Sequence, residues 1–322
     1  MEQTVDLERC SRLITAIRQN VARVLIGQEQ SLSLVLTGMI AGGHVLLEDV
    51  PGTGKTVMAK SIAKSIAADF ARIQFTPDLL PSDVTGLNYY HQESGEFRFR
   101  KGPVFCNILL ADEINRATPR TQSALLECME EHQITIDGVT HRLSEPFFVI
   151  ATENPIETAG TFPLPEAQLD RFMLKLSLGM PTPTQEIAIM ERFMTDQPLE
   201  TLDAVCSGED ICYLNEVFHY VYVHPTILSY IADLVSATRQ EASLISGVSP
   251  RGTLNLLRAC QAYALISGRD YVVPEDVKEL AIPVLAHRIV TNRGFGRTDS
   301  AANIISTLLT RIAIETEDWS RK

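Results

Sequence analysis

The run His44-Val45-Leu46-Leu47-Glu48 leads straight into Pro51-Gly52-Thr53-Gly54-Lys55-Thr56, and an Ala-, Lys- and Ile-rich stretch from Val57 to Ala67 follows. No other feature of the chain restricts its fold so strongly. A short apolar strand, a glycine loop and a helix, in that order, make an anion cradle. Glycines let successive backbone N–H groups turn inward, and the helix start adds the positive end of its dipole. The group that fits is a triphosphate. Lys55 can reach the β- and γ-phosphates, the Thr56 hydroxyl can ligate magnesium, and Val57 continues the helix start behind them. The pattern G-x-x-x-x-G-K-[ST] asks for glycine at position 49, where this chain has Asp49. The bland alternative, a chance Gly-Lys-Thr in a loop, fits the flanking strand and helix poorly.

A phosphate loop alone binds nucleotide; hydrolysis also needs a placed metal and an oriented water. Asn107-Ile108-Leu109-Leu110-Ala111-Asp112-Glu113 reads as a buried parallel strand ending in two carboxylates. Asp112 can hold the magnesium shell, and Glu113 can polarise a water for attack on the γ-phosphate. Without the upstream loop, the pair would read as a solvated turn. Phe147 to Thr152 is a further buried strand, and Asn154 follows it in Ala151-Thr152-Glu153-Asn154-Pro155. Beside the acidic strand, Asn154 can bond the attacking water or the γ-phosphate; alone it is an Asn-Pro turn. In Gln168-Leu169-Asp170-Arg171-Phe172, Arg171 is either an arginine finger directed at a neighbouring subunit or a surface ion pair with Asp170, and composition does not separate the two. In Ser249-Pro250-Arg251-Gly252, Ser249 caps a helix and Pro250 suits its first turn. Arg251 then stands where the helix dipole disfavours a cation, which points to an anionic partner; a snorkelling arginine is the alternative.

The order of the remaining segments supplies the organisation. Leu7, Cys10, Leu13, Ile14, Ile17, Val21 and Val24 recur at helical spacing, and a second helix runs from about Glu29 to Ala41 before Gly42-Gly43. Residues 71–75 and 172–178 read as strands. Residues 77–105 carry alternating stretches around Ser94-Gly95, and residues 133–146 alternate around Asp137-Gly138, so each reads as a β-hairpin insert. After Gly179-Met180-Pro181 strand signals mostly disappear, and helices are expected over 185–194, 211–220, 226–239, 251–266, 275–286 and 299–315. The expected layout is a nucleotide-binding α/β domain over residues 1–181, with a parallel sheet, and a helical domain over 182–322. At 322 residues, two domains of about 150 residues each are also the size-based expectation.

Charge narrows the partners. With 40 acidic and 28 basic residues the net charge is −12, which argues against binding nucleic acid through the whole surface. The six cysteines are scattered with no C-x-x-C pair and read as incidental thiols of a reducing compartment. No apolar run approaches the roughly 18 residues of a membrane helix. The acidic start Met1–Asp6 has no apolar leader, so a cytoplasmic protein is expected.

Together the motifs resemble the AAA+ ATPases and, within them, the MoxR family. The resemblance spans nearly the whole chain. It is sharpest in Leu46–Thr56, Ala111–Ala117, Ala151–Pro155 and Leu164–Phe172. The Glu-Asp-Val-Pro form at 48–51 is frequent in this branch, so Asp49 departs only from the general loop pattern. The resemblance implies an α/β P-loop core with β-hairpin inserts and an all-α lid. It makes Pro51 to Thr56 the phosphate loop, Asp112 and Glu113 the acidic motif, Asn154 sensor 1, Arg171 the arginine finger and Arg251 sensor 2. It also places Gly27 and Gln28 against adenine. It further implies ATP and Mg2+ as cofactors and a hexameric homo-oligomeric ring. The ring would be chaperone-like, working with a von Willebrand A domain protein to mature a client or insert its metal. Two other readings stand beside it: a nucleotide-gated scaffold with little turnover, and a DNA motor suggested by the inserts and by Arg98, Arg100 and Lys101.

Overall fold

The computed structural model describes residues 5–155, 160–195, 197–292 and 298–314. Residues 1–4, part of the acidic start considered above, and residue 315, the end of the last expected helix, lie outside them. Helices α1 (Leu7–Ala22) and α2 (Glu29–Ile40) come first. Strand β1 (Val45–Glu48), the glycine loop and α3 (Lys55–Ser65) follow in the expected order. Next are β2 (Phe70–Gln74), the short α4 (Pro81–Thr85), and an antiparallel hairpin of β3 (Gly86–His91) and β4 (Glu96–Lys101). The first insert is therefore a helix plus a hairpin. Strand β5 (Ile108–Asp112), helix α5 (Pro119–Glu131), the hairpin β6 (Gln133–Ile136)–β7 (Val139–Arg142), β8 (Phe148–Glu153), α6 (Glu166–Leu169) and β9 (Leu174–Leu176) complete the α/β part. Asp137 and Gly138 both have positive φ, 50° and 81°, the two left-handed residues a tight hairpin turn requires.

Five strands form one parallel sheet in the order β2-β5-β8-β1-β9. Successive side chains of a strand face opposite sides of the sheet, and here both sides are covered. Ile108 and Leu110, Phe148 and Ile150, and Val45 and Leu47 enter one core with α1, α2 and α3. Leu109 and Ala111, Val149 and Ala151, and Leu46 enter the other, with Leu125, Leu126 and Met129 of α5. This is why these strands read as unbroken apolar runs.

The helical part comprises α7 (Pro183–Thr195), α8 (Gly208–Val217), α9 (Pro225–Gln240), α10 (Pro250–Ile266), α11 (Pro274–Leu285) and α12 (Thr298–Arg311). It adds one small ribbon, β10 (Leu244–Ser246) against β11 (Val290–Thr291), too short for a sequence pattern to reveal. Leu256, Ala259, Leu280 and Ile305 join the same core that covers one face of the sheet. The two hairpins touch: the Asn88 amide donates to Asp137 at 2.7 Å, and Phe99 stacks on His141 with centroids 4.2 Å apart.

His44, at the entrance to β1, ties α5 to β8. Its Nε2–H donates to the Met129 carbonyl at 3.0 Å, and its Nδ1 accepts the Val149 N–H at 3.1 Å, so the neutral ring uses both nitrogens. Burial pulls its pKa from 6.5 down to about 4. The unfolded chain then binds the extra proton between these values. Stability is complete above pH 6.5 and falls as pH drops through the window. Lowering the pH from 6.5 to 5 should remove on the order of 2 kcal/mol through this one group. A falling urea midpoint that flattens in His44→Gln checks it; an unchanged slope in that variant assigns the acid sensitivity elsewhere.

Candidate functional site

The loop between β1 and α3 turns at Gly52 and Gly54, whose φ values of 90° and 92° lie in the left-handed region that side chains disfavour. A Cβ at Gly52 would meet nothing within 4 Å, so backbone angle, not packing, requires glycine there. The Lys55 ammonium folds back across the loop and donates to the carbonyls of Asp49 (2.7 Å) and Val50 (3.1 Å). Burial lowers its pKa, and Asp49, Asp112 and Glu113 oppose that shift. The structure also accounts for Asp49. Its carboxylate is buried and accepts from the Ser177 hydroxyl (2.6 Å) and the N–H groups of Leu178 (2.7 Å) and Gly179 (3.2 Å). The residue that breaks the glycine pattern thus ties the loop to the chain leaving β9. Beneath it, Lys175 pairs with Glu48 at 3.0 Å and with Glu153 at 3.8 Å. Burial raises the Glu153 carboxyl pKa, while Lys175 opposes the shift.

The acidic pair stands at the end of β5, and β8 lies between it and β1. Thr152 on β8 organises both acids. Its hydroxyl donates to Asp112 Oδ1 at 2.6 Å and accepts the Glu113 N–H at 2.8 Å. Glu113 has φ 56°, an unfavourable angle for a side-chain-bearing residue. Its carboxylate accepts from Gln74 and from Arg116, each at 2.9 Å, while Arg72 donates to Asp112 at 2.7 Å. Asn154 follows β8 and is buried. The loop residues Pro51, Gly52, Gly54, Lys55, Thr56 and Val57 line one cavity of about 370 Å³ together with Arg72, Gln74, Asp112, Glu113 and Asn154. Thr53 is buried, its hydroxyl donating to the Val50 carbonyl at 3.4 Å. Gly27 and Gln28 do not line that cavity; nearby, Leu25 approaches the loop, since a Cβ at Gly54 would stand 3.6 Å from its side chain. Gly27 lies against the Gln185 amide, and Gln28 Oε1 is buried with no hydrogen-bond partner among the described residues.

Neither Arg171 nor Arg251 lines that cavity. They meet each other elsewhere, across Glu130 at the end of α5. Arg171 Nε lies 3.1 Å from Glu130 Oε2, and Arg251 donates to Glu130 Oε1. Arg251 thus has the carboxylate of Glu130 as an anionic neighbour within the chain. Asp170, the ion-pair partner considered for Arg171, bonds Arg288 instead at 2.7 Å. Sequence reasoning gave no role to Thr152, Arg72, Gln74 or Glu130. Arg72 and Gln74 were within reach of it, because they share one face at the end of a strand paired with the acidic strand, Gln74 opposite Asp112.

Comparison with known proteins identifies the family. Residues 44–174 match the model of the ATPase family associated with various cellular activities (AAA), and residues 236–308 match an AAA lid domain. Chaperone MoxR1 of Mycobacterium tuberculosis is 43% identical over 84% of this chain and 74% of its own length. The chain belongs to the MoxR family of AAA+ ATPases. The YeaC protein of Bacillus subtilis is 52% identical over 84% of this chain and 85% of its own, and protein MoxR of Paracoccus denitrificans is 31% identical over 83% and 85%. A crystal structure from Cytophaga hutchinsonii, solved as a candidate ATPase, superposes with a TM-score of 0.88 at 40% identity, covering 96% of this chain and 97% of that one. As a MoxR-family member the chain is a chaperone-like AAA+ ATPase with a nucleotide-binding core and a helical lid. No described helix is long and apolar enough to cross a membrane.

Proposed function

We propose that this MoxR-family chain binds Mg-ATP in the 370 Å³ cavity and hydrolyses it within a homo-oligomeric ring. The ring, a hexamer by the family resemblance, remodels or matures a client protein in the cytoplasm. Its proposed co-worker is a von Willebrand A domain protein, and nucleic acid is not a partner at net charge −12. Residues 1–181 serve as the nucleotide domain and 182–322 as the lid. The observation that carries the reading is a division of charges. The cavity gathers two cations, Lys55 and Arg72, with the two acids and the glycine loop, whereas Arg171 and Arg251 stand together outside it on Glu130.

Lys55 and the loop N–H groups bind the β- and γ-phosphates, and Gly27 and Gln28 lie against adenine. The Thr56 hydroxyl and the Asp112 carboxylate are hard oxygen donors lining the same cavity, a set suited to Mg2+. When bound, Mg2+ neutralises charge on the phosphate oxygens. Glu113 accepts a proton from the attacking water, and Asn154 holds that water or the γ-phosphate by hydrogen bonding. Arg171 and Arg251 approach the γ-phosphate of the neighbouring subunit.

Lys55→Ala should weaken ATP binding by at least about tenfold, because a charge-assisted contact of ~1.5–3 kcal/mol is lost. Calorimetric titration decides it, and equal affinities would remove the loop from the reading. Specific activity should also rise with protein concentration as rings form.

A further inference from the structure

Arg288 sits in the turn after α11, and its side chain is only 1% exposed. Its Nε donates to Asp170 Oδ1 at 2.7 Å. Its Nη2 donates to the carbonyls of Phe172 (2.6 Å) and Asp170 (3.3 Å). Its Nη1 donates to those of Met173 (3.2 Å) and Val284. Residues 170, 172 and 173 bracket Arg171. On the other side Gly252, the residue after Arg251, closes on the aliphatic stem: a Cβ there would stand 2.9 Å from Arg288 Cδ and 2.6 Å from Val248. One buried side chain therefore touches the residue before one arginine and the residue after the other.

Arg288 lines no part of the phosphate cavity, so nucleotide binding does not call for it. A buried guanidinium is also a poor way to gain stability, since an apolar filler often serves as well. What a guanidinium adds is a planar fork of donors in fixed directions. Here the fork grips three carbonyls and a carboxylate of a single peptide stretch and removes that stretch's freedom to rotate.

We propose that Arg288 is a positioning residue for Arg171 and Arg251, holding the two guanidinium groups at one place on the subunit boundary. The proposal rests on the reading that both arginines serve a neighbour's triphosphate. A displacement of about 1 Å in such a group lowers rate by about a hundredfold without touching the nucleotide.

Arg288→Lys keeps the charge but loses the fork, and Asp170→Asn keeps the shape of the principal acceptor but loses its charge. Each is measured for ATP affinity and turnover, alone and mixed with Glu113→Gln or with Arg171→Ala. Both variants should bind ATP within about twofold of wild type and lose about ten- to a hundredfold in kcat. Activity should return on mixing with Glu113→Gln, whose subunits bring correctly placed arginines to the variants' intact sites. It should not return with Arg171→Ala. Wild-type kcat in both variants overturns the proposal. So does loss of ATP binding along with turnover, which would make Arg288 part of the general scaffold. Failure of rescue by Glu113→Gln, where Arg171→Ala is rescued, overturns it as well. If Arg171→Ala itself is not rescued, the action across subunits fails first and the positioning role falls with it.

Discussion

Glu113→Gln should bind ATP as tightly as the unaltered chain and turn it over about 10²–10⁴ times more slowly. The amide matches the carboxylate in size, so the fit at 113 and the Thr152 bond to its N–H are kept. The phosphate contacts proposed for Lys55 and the loop are untouched. What is lost is a negative oxygen able to take a proton from water as the bond to phosphorus forms. An interaction made only in the transition state lowers kcat and leaves affinity alone. Two neighbours complicate the wild-type group in an informative way. Arg116 and Gln74 both donate to Glu113, so the proposed base is held by hydrogen bonds that an attacking water would have to share or displace. Arg116→Ala should therefore leave Glu113 in place and change turnover far less than Glu113→Gln does. Single-turnover hydrolysis with titrated binding checks both, and unchanged hydrolysis in Glu113→Gln would sink its role as base.

Arg171→Ala should bind ATP normally and lose on the order of a thousandfold in turnover, the usual scale for an arginine finger. The structure argues against a folding explanation. The Arg171 side chain is 31% exposed and pairs with a Glu130 that is 34% exposed, and such partly solvated pairs contribute ~0–1 kcal/mol. Glu130 also keeps Arg251 after the substitution. The loss should therefore appear in rate and not in melting temperature. Because the arginine is proposed to serve a neighbour, an equal mixture with Glu113→Gln should recover activity. Interfaces form there with an intact Glu113 on one side and an intact Arg171 on the other. No mechanism confined to one subunit produces that recovery, so inactive mixtures would return Arg171 to a structural ion pair.

The features that decided the fold act over short stretches of chain. The loop at 51–56 demands positive φ at its glycines, Asp137-Gly138 demands a tight turn, and the three central strands must be apolar on both faces; each is a local demand on residue type. With the helical patterns that follow residue 181, these let the sequence determine an α/β core with two inserts, a helical lid, the glycine loop and the two acids that share its cavity. The company those groups keep was decided by tertiary structure. Thr152 reaches both acids because β8 lies between β5 and β1, and strand order is a property of the whole sheet. Arg72 and Gln74 matter because the register sets β2 beside the acidic strand. The separation of the arginines from the cavity is likewise invisible in the chain. Asp170 and Arg171 are adjacent and opposite in charge, the pattern of a local pair, yet their side chains leave in different directions. Arg171 goes to Glu130, and Asp170 goes to Arg288, 118 residues away. Pairing over that distance depends on which surfaces the core brings together, and a buried guanidinium takes whichever acceptors line its pocket. Local chemistry could therefore name the candidate reacting groups, and only the strand order of the sheet and the packing of the lid on the core could say which of them face one another.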